Sequence, residues 1–271
     1  MQSLTKNHQT IQNCWRPSSI QSLLAAIFVS IALAGCASTP DEQNDISKWS
    51  AEKLYSEAKD ALGAGDYETA IKDLETLEAK YPFGQYAEQA QLDTAYAYYK
   101  FEEPDSAISA ADRFIKLHPR HNNVDYAYYI RGIASSSKKD NPLDVIIPQN
   151  SSLRDPGSTK DSYDYFAELV KKFPDSRYTP DAIKRMGHLR NSLAMHEISV
   201  ANYYISRGAF VAAVNRAKYV VENYPRTPAS RLALKVLVDG YTKLEMTELA
   251  RDAQRVLDLN TPPSPKTSSI N

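Results

Sequence analysis

Four of the five histidines and both cysteines are the residues whose type and spacing could do chemistry in this chain. His196-Glu197 opens like the zinc-protease motif, in which two histidines four apart on one helix hold the metal. Val200 stands where the second histidine would be. His118 and His121 flank Pro119 in a turn between helices. A protein-bound zinc needs three or four convergent ligands, so this pair reads as solvated loop histidines. His188 and His196 lie two turns apart on one helical stretch and read as its surface. Glycoside hydrolysis needs two positioned carboxylates, and nothing singles out a pair among the 33 acidic residues. No phosphate loop, G-x-G-x-x-G or G-x-S-x-G is present. The expectation is no enzyme, no metal and no cofactor.

Cys36 is different, because its context predicts modification. No acidic residue precedes Asp41, while Lys6 and Arg16 stand before an apolar run from Leu23 to Leu33. Such a run suits a signal-peptide core and is too short to span a bilayer, which takes about 20 residues. Leu33-Ala34-Gly35-Cys36 follows directly and resembles a bacterial lipobox. The resemblance implies cleavage before Cys36 and a covalent N-acyl and S-diacylglycerol lipid on it. Two acyl signals suffice for stable attachment, so the mature chain should sit on a membrane without crossing it. Ala37 is not the aspartate of inner-membrane retention, which points to the inner leaflet of the outer membrane. Cys14 leaves with residues 1–35 and Cys36 is consumed by lipid, so no disulfide is possible. Cleavage removes Lys6 and Arg16 and no acid, taking the formal charge from −1 to −3. Nothing suggests nucleic acid.

The elements that position these residues repeat. Ala58, Ala95 and Gly132 are 37 residues apart, as are Ala70 and Ala107, and Pro82 and Pro119. The spacing returns from Ala213 to Ala250 and from Pro225 to Pro262. A fixed period of this size signals stacked supersecondary units. The first unit reads as a helix from Ser50 to Leu62, a break at Gly63-Ala64-Gly65-Asp66, and a helix from Tyr67 to Lys80. Ala58, Gly65, Ala70, Leu74 and Pro82 follow the tetratricopeptide order. Small residues recur where paired helices cross closely. The fold class expected is all-α, a tetratricopeptide superhelix of five helix pairs.

The organisation follows. Residues 36–50 form the lipidated cysteine and a polar tether, which averages roughly 20 Å in reach. Residues 51–134 hold pairs one and two and the first helix of pair three. Residues 135–160 interrupt with Pro142, Pro148 and Pro156 around Val145-Ile146-Ile147. Residues 161–260 complete pairs three to five, and 261–271 form a proline-rich tail expected to be disordered. Between Pro174 and Ala201 the link is 27 residues, against 13 after Pro82 and Pro119, which predicts a long helix from about Asp181 to Ser206.

In tetratricopeptide arrays the first helix of each pair lines the concave face. Tyr55, Leu92, Tyr96, Tyr99, Tyr126 and Tyr129 take facing positions, giving a tyrosine-rich groove. Tyrosine offers contact area at low entropy cost and keeps a hydroxyl for backbone groups. Packing between helices remains the alternative for Tyr96, Tyr99, Tyr126 and Tyr129, and Tyr98 falls at a core position.

Several segments carry a family resemblance: Tyr81-Pro82-Phe83-Gly84-Gln85-Tyr86, Ala97-Tyr98-Tyr99-Lys100, Asp112 to Pro119, Arg154-Asp155-Pro156, and Ser199 to Arg216. Together with the lipobox, their order resembles the BamD (ComL) family, lipoproteins of the outer-membrane β-barrel assembly (BAM) machinery. The resemblance covers essentially the whole mature chain. It implies a five-repeat scaffold without catalysis that docks on the POTRA domain of BamA nearest the barrel. It implies binding of a BamC-like lipoprotein and recognition of the C-terminal signals of unfolded outer membrane proteins. Tyr81, Phe83 and Tyr86 then form an edge of the client groove. Tyr204, Arg207, Asn215 and Arg216 match the BamA-facing segment, against a reading of the arginines as solvated charges or helix caps. Arg154 and Asp155 become a partner contact in the loop. A tetratricopeptide lipoprotein scaffold for pilus secretin assembly or cell-wall coordination is the alternative.

Overall fold

The computed structural model describes residues 46–138 and 156–261. The signal segment, Cys36, most of the tether, Arg154, Asp155 and residues 262–271 lie outside the described residues. The chain divides at Trp49 into two units. Of the first, one 3-10 turn, Ile46–Lys48, is described.

The second unit holds ten α-helices among the described residues, and no strand. They pair as α1 (Ala51–Ala64) with α2 (Tyr67–Lys80), α3 (Gln85–Lys100) with α4 (Pro104–Leu117), and α5 (Val124–Ser137) with α6 (Gly157–Lys172). Then come α7 (Thr179–Ser206) with α8 (Phe210–Asn223) and α9 (Pro228–Lys243) with α10 (Thr247–Leu259). Each helix packs on the next, and α1 on α3, α3 on α5 and α7 on α9 bring first helices of successive pairs together. This is the expected all-α solenoid of five helix pairs.

Local chemistry sets the boundaries. The Ser50 hydroxyl accepts from the Lys53 N–H and starts α1. Gly65, at φ 80°, ends it with a left-handed residue, so the helix runs through Gly63 and breaks later than expected. Asp66 caps α2 by accepting from the Thr69 N–H, which holds its carboxyl below the usual range. Pro104 and Pro228 sit in the first turns of α4 and α9, where no N–H partner is missed. The expected loop 135–160 is shorter at both ends, because α5 continues through Ser137 and α6 starts at Gly157. The Ser135 hydroxyl donates to the Ser158 carbonyl at 3.2 Å across that interruption.

The repeated small residues meet neighbouring helices closely. Ala58, Ala95, Ala70, Ala107 and Ala213 are buried. A Cβ on Gly132 would stand 2.5 Å from the Phe166 ring, and one on Gly240 would stand 2.6 Å from Val214. Two apolar clusters stand out among the described residues. One gathers Leu92, Phe114, Ile130, Phe166 and Ala182. The other gathers Ala194, Ile198, Val220, Leu234 and Leu257. Helix α7 is 28 residues long and contributes Ala182 to the first and Ala194, Ile198 and Ala201 to the second.

A charged knot fastens the third pair to the second. The Arg131 guanidinium donates to Asp112 Oδ1 at 2.8 Å and to Glu168 Oε2. It lies over the rings of Tyr165 and Tyr128, at 4.3 and 5.0 Å. Burial works against its charge, but the two carboxylates outweigh it and raise its pKa. Glu168 also accepts from Lys172 at 2.8 Å. Despite burial its carboxyl is held below the usual range by Lys172 and Arg131.

Candidate docking surfaces

The first helices of pairs one to four bring a row of tyrosines and charges together. On α1, the Tyr55 hydroxyl donates to Asp93 Oδ2 on α3 at 2.9 Å. Lys59 and Gln89 converge on the same carboxylate, at 3.3 and 3.1 Å. The Tyr86 ring lies 5.6 Å from that of Tyr55. Burial, with Asp93 second, pushes the Tyr55 phenol far up. Tyr126 is likewise pushed up by burial, then by Tyr178, Tyr96 and Asp93, so the row continues onto α5. Tyr178, just before α7, stacks on Tyr126 at 5.1 Å and on Tyr129 at 4.9 Å. The Tyr129 hydroxyl donates to Asp181, which also accepts from Arg185 at 2.5 Å. Those two bonds hold the Asp181 carboxyl below its ordinary range.

The expected groove residues fall into distinct places. Tyr55, Tyr86, Tyr126 and Tyr129 belong to this row, and Tyr96 is half-buried beside it. Tyr99 lines a separate crevice of about 390 Å³ with Pro104 and Ser137. Tyr81 is half-buried, with the Lys80 ammonium 5.1 Å from its ring centroid. Phe83 is 90 % exposed beside Gly84, whose φ is +102°. Leu92 is a correction. It is 1 % exposed and sits in the core with Ala95 and Phe114, so it offers nothing to a groove. Tyr98 is a correction in the other direction. It is half-buried and lines a crevice of about 730 Å³ between α2 and α4. Its hydroxyl donates to Glu75 at 2.5 Å, which with burial pushes its pKa up to about 12.

Asp93, Tyr178, Asp181 and Arg185 are the members that sequence reasoning missed. Their partners lie far off in sequence: 38 positions separate Tyr55 from Asp93 and 52 separate Tyr129 from Asp181. Two hydroxyls expected to face a peptide backbone are therefore already engaged by carboxylates.

In the fourth pair, Tyr204 is half-buried against the second cluster. Arg207 is exposed, with its guanidinium 5.7 Å from the Tyr203 ring centroid. Arg216 donates to Glu197 Oε2 at 3.0 Å, and Asn215 is exposed. Exposed aromatic and apolar neighbours went unforeseen: Tyr203, Val211 and Tyr219. Val211 and Tyr219, eight apart on one helix, were the available signal.

Three of the four described histidines differ from expectation. His118 and His121 are half-buried, with rings 5.1 and 5.2 Å from that of Phe114. Gln91 bonds His118 at 3.1 Å, and Glu88 stands 4.0 and 3.8 Å from the two rings. His188 is exposed, but His196 is half-buried with Nδ1 enclosed and unpartnered. Among the described residues no three His, Cys, Asp or Glu side chains are placed to hold a metal. No described helix is long and apolar enough to cross a membrane.

Comparison with known proteins adds the lineage. Residues 47–256 match the YfiO family, described as outer membrane lipoprotein. Outer membrane protein assembly factor BamD of Neisseria gonorrhoeae is 43 % identical over 249 residues, covering 91 % of this chain and 93 % of the relative. The protein of that name from Vibrio cholerae is 35 % identical over 240 residues, covering 89 % and 98 %. That from Xylella fastidiosa strain Temecula1 is 36 % identical over 249 residues, covering 92 % and 84 %. With a match spanning nearly all the described helices and relatives aligned almost end to end, this chain belongs to the YfiO family of outer membrane lipoproteins.

Proposed function

We propose that this chain is an outer membrane protein assembly factor, a non-catalytic scaffold of the BAM complex. One observation carries the reading: relatives matching it nearly end to end bear that name. Lipid on Cys36 holds the chain to the periplasmic face of the outer membrane, a reading supported by the lipobox-like Leu33 to Cys36. The tyrosine row from Tyr55 to Tyr178, edged by Tyr81, Phe83 and Tyr86, takes the C-terminal signals of unfolded barrel proteins. Half-buried aromatic faces beside fixed charges suit an extended peptide. The fourth pair docks on the POTRA domain of BamA through Arg207, Asn215 and Arg216. A BamC-like lipoprotein is the further partner, and Arg154 and Asp155 contact a partner from the loop.

The test is affinity purification of the lipidated chain from detergent-solubilised membranes. Recovery of a POTRA-containing barrel protein is expected. Recovery of a secretin or a wall hydrolase alone would overturn the assignment in favour of the other scaffold class. With purified components, Arg216→Glu should weaken POTRA binding while helicity stays unchanged.

A further inference from the structure

We infer that the crevice of about 730 Å³ between α2 and α4 is a receptor for an arginine side chain carried on an extended segment of a partner protein. The fold holds a template for such an occupant. One repeat later, the chain's own Arg131 rises from α5 and is buried between α4 and α6. Its guanidinium donates to Asp112 and Glu168 and lies over the rings of Tyr128 and Tyr165. The repeat frame carries these places back into the crevice. Helices α3 and α5 align at 37 residues through Ala95 and Gly132, so Thr94 stands in the place of Arg131 and Gln91 in that of Tyr128. Helices α2 and α4 align at the same interval through Ala70 and Ala107, so Glu75 stands in the place of Asp112. Helices α4 and α6 align at 55 residues through the buried Ala107 and Ser162, and Pro119 and Pro174 keep that interval. Ala110 therefore stands in the place of Tyr165, and Arg113 in that of Glu168. Thr94, Gln91 and Ala110 all line the crevice. A hydroxyl, an amide and a methyl replace a guanidinium and two rings, and the space those groups would fill is left open.

The lining is set to receive protons. The Thr94 hydroxyl donates to the Ala90 carbonyl at 2.8 Å, and Tyr98 donates to Glu75. Ser109 donates to the Asp105 carbonyl and Ser106 to Glu103 Oε2, both at 2.9 Å. A hydroxyl whose proton is spent inside the protein keeps only lone pairs for a ligand. Three carboxylates, Glu75, Glu78 and Asp105, stand against one cation, Arg113. Glu78 is taken by Arg113 and by the Gln91 amide, and Asp105 by Lys138 at 2.6 Å. Among the described residues Glu75 has a tyrosine hydroxyl and no cation. Its counterpart Asp112 does have one, at 2.8 Å from Arg131. The missing partner is thus a cation rich in donors. A planar guanidinium meets a carboxylate in a fixed fork and stacks on flat neighbours, which an ammonium does not. An arginine on an extended segment reaches a floor recessed between two helices, as Arg131 does from the floor itself.

The experiment titrates the full chain, Glu75→Gln and Thr94→Arg with a fluorescently labelled peptide, Ser-Ala-Arg-Tyr-Ala-Ser, and with the same peptide carrying glutamine for arginine. Fluorescence anisotropy reads binding, and spermidine serves as a free cation in competition. Glu75 is exposed, and glutamine keeps an acceptor for Tyr98 while removing the charge. Thr94→Arg supplies a guanidinium from the chain itself, in the manner of Arg131. The wild-type chain should bind the arginine peptide about tenfold more tightly than the glutamine peptide, and Glu75→Gln should remove that preference. Thr94→Arg should abolish peptide binding with helicity unchanged. Equal binding of the two peptides by the wild-type chain, or binding of neither at millimolar concentration, overturns the inference. Wild-type affinity in a folded Thr94→Arg also overturns it. Where Thr94→Arg loses helicity, Glu75→Gln decides alone, and unchanged affinity there overturns the inference. Spermidine that binds as tightly as the arginine peptide makes the crevice a general cation trap and overturns it as well.

Discussion

The Tyr129 hydroxyl donates to Asp181 Oδ2 at 2.7 Å and so ties α5 to the first turn of α7. This bond sits where the tyrosine row passes from the third pair to the fourth.

Acid should loosen that tie. The Tyr129 bond and then the Arg185 bond lower the Asp181 pKa from 3.8. A depressed carboxyl contributes stability that is complete above its unfolded value and fades as pH falls through its folded value. Asp181→Asn should therefore lose stability at neutral pH but match the wild-type chain in acid below that range. Urea titrations at the two pH values check the convergence.

Gly132→Ala should destabilise. The new methyl meets the Phe166 ring at 2.5 Å in a buried crossing, and overpacking of this kind costs about 1–3 kcal/mol. Gly63→Ala is the control. It lies inside α1 with nothing within 4 Å of the added carbon. A gain of about 0.5–1 kcal/mol is expected there. Thermal unfolding should move in opposite directions for the two.

Arg131→Met should reveal how the charged knot works. It keeps a long side chain between Tyr128 and Tyr165 but leaves Asp112 and Glu168 without their shared cation. A loss of about 1–2 kcal/mol in urea unfolding is expected, since Asp112 loses its cation while Glu168 keeps Lys172 and both carboxylates are more than a third exposed. A change under about 0.5 kcal/mol would mean that the two carboxylates simply turn to solvent.

Phe83→Ala should leave stability within about 0.5 kcal/mol, because the ring is 90 % exposed. Binding of a labelled peptide carrying a barrel protein's C-terminal signal should fall. Fluorescence anisotropy distinguishes this from a ring that plays no part, which would leave peptide affinity intact.

The repeat was readable because helix crossings admit only small residues, and Ala58, Ala95 and Gly132 mark three such crossings at one interval. Side-chain roles were less readable. Leu92, Tyr96 and Tyr99 recur at helical spacing, and spacing alone does not tell a face toward a groove from one toward a neighbouring pair. Helix α3 lies between α1 and α5 as well as beside its partners, so its middle, from Ala90 to Ala95, is buried throughout. Tyr98 looked like core because its frame position is a packing one, yet Glu75 on another helix draws its hydroxyl to a crevice. The turn histidines looked solvated because of their loop position, yet both rings lie against Phe114, which stands four residues before His118.

Helix α7 roots its beginning in one apolar cluster and its later half in the other. At 28 residues it is a rod about 42 Å long. Its first turn carries Asp181 of the tyrosine row, and its last turn carries the exposed Tyr203. A torque applied at one end cannot dissipate in a flexible joint, because the joint is itself a continuous hydrogen-bonded spindle. A displacement at one end of α7 would therefore be felt at the other as a tilt of the tyrosine row.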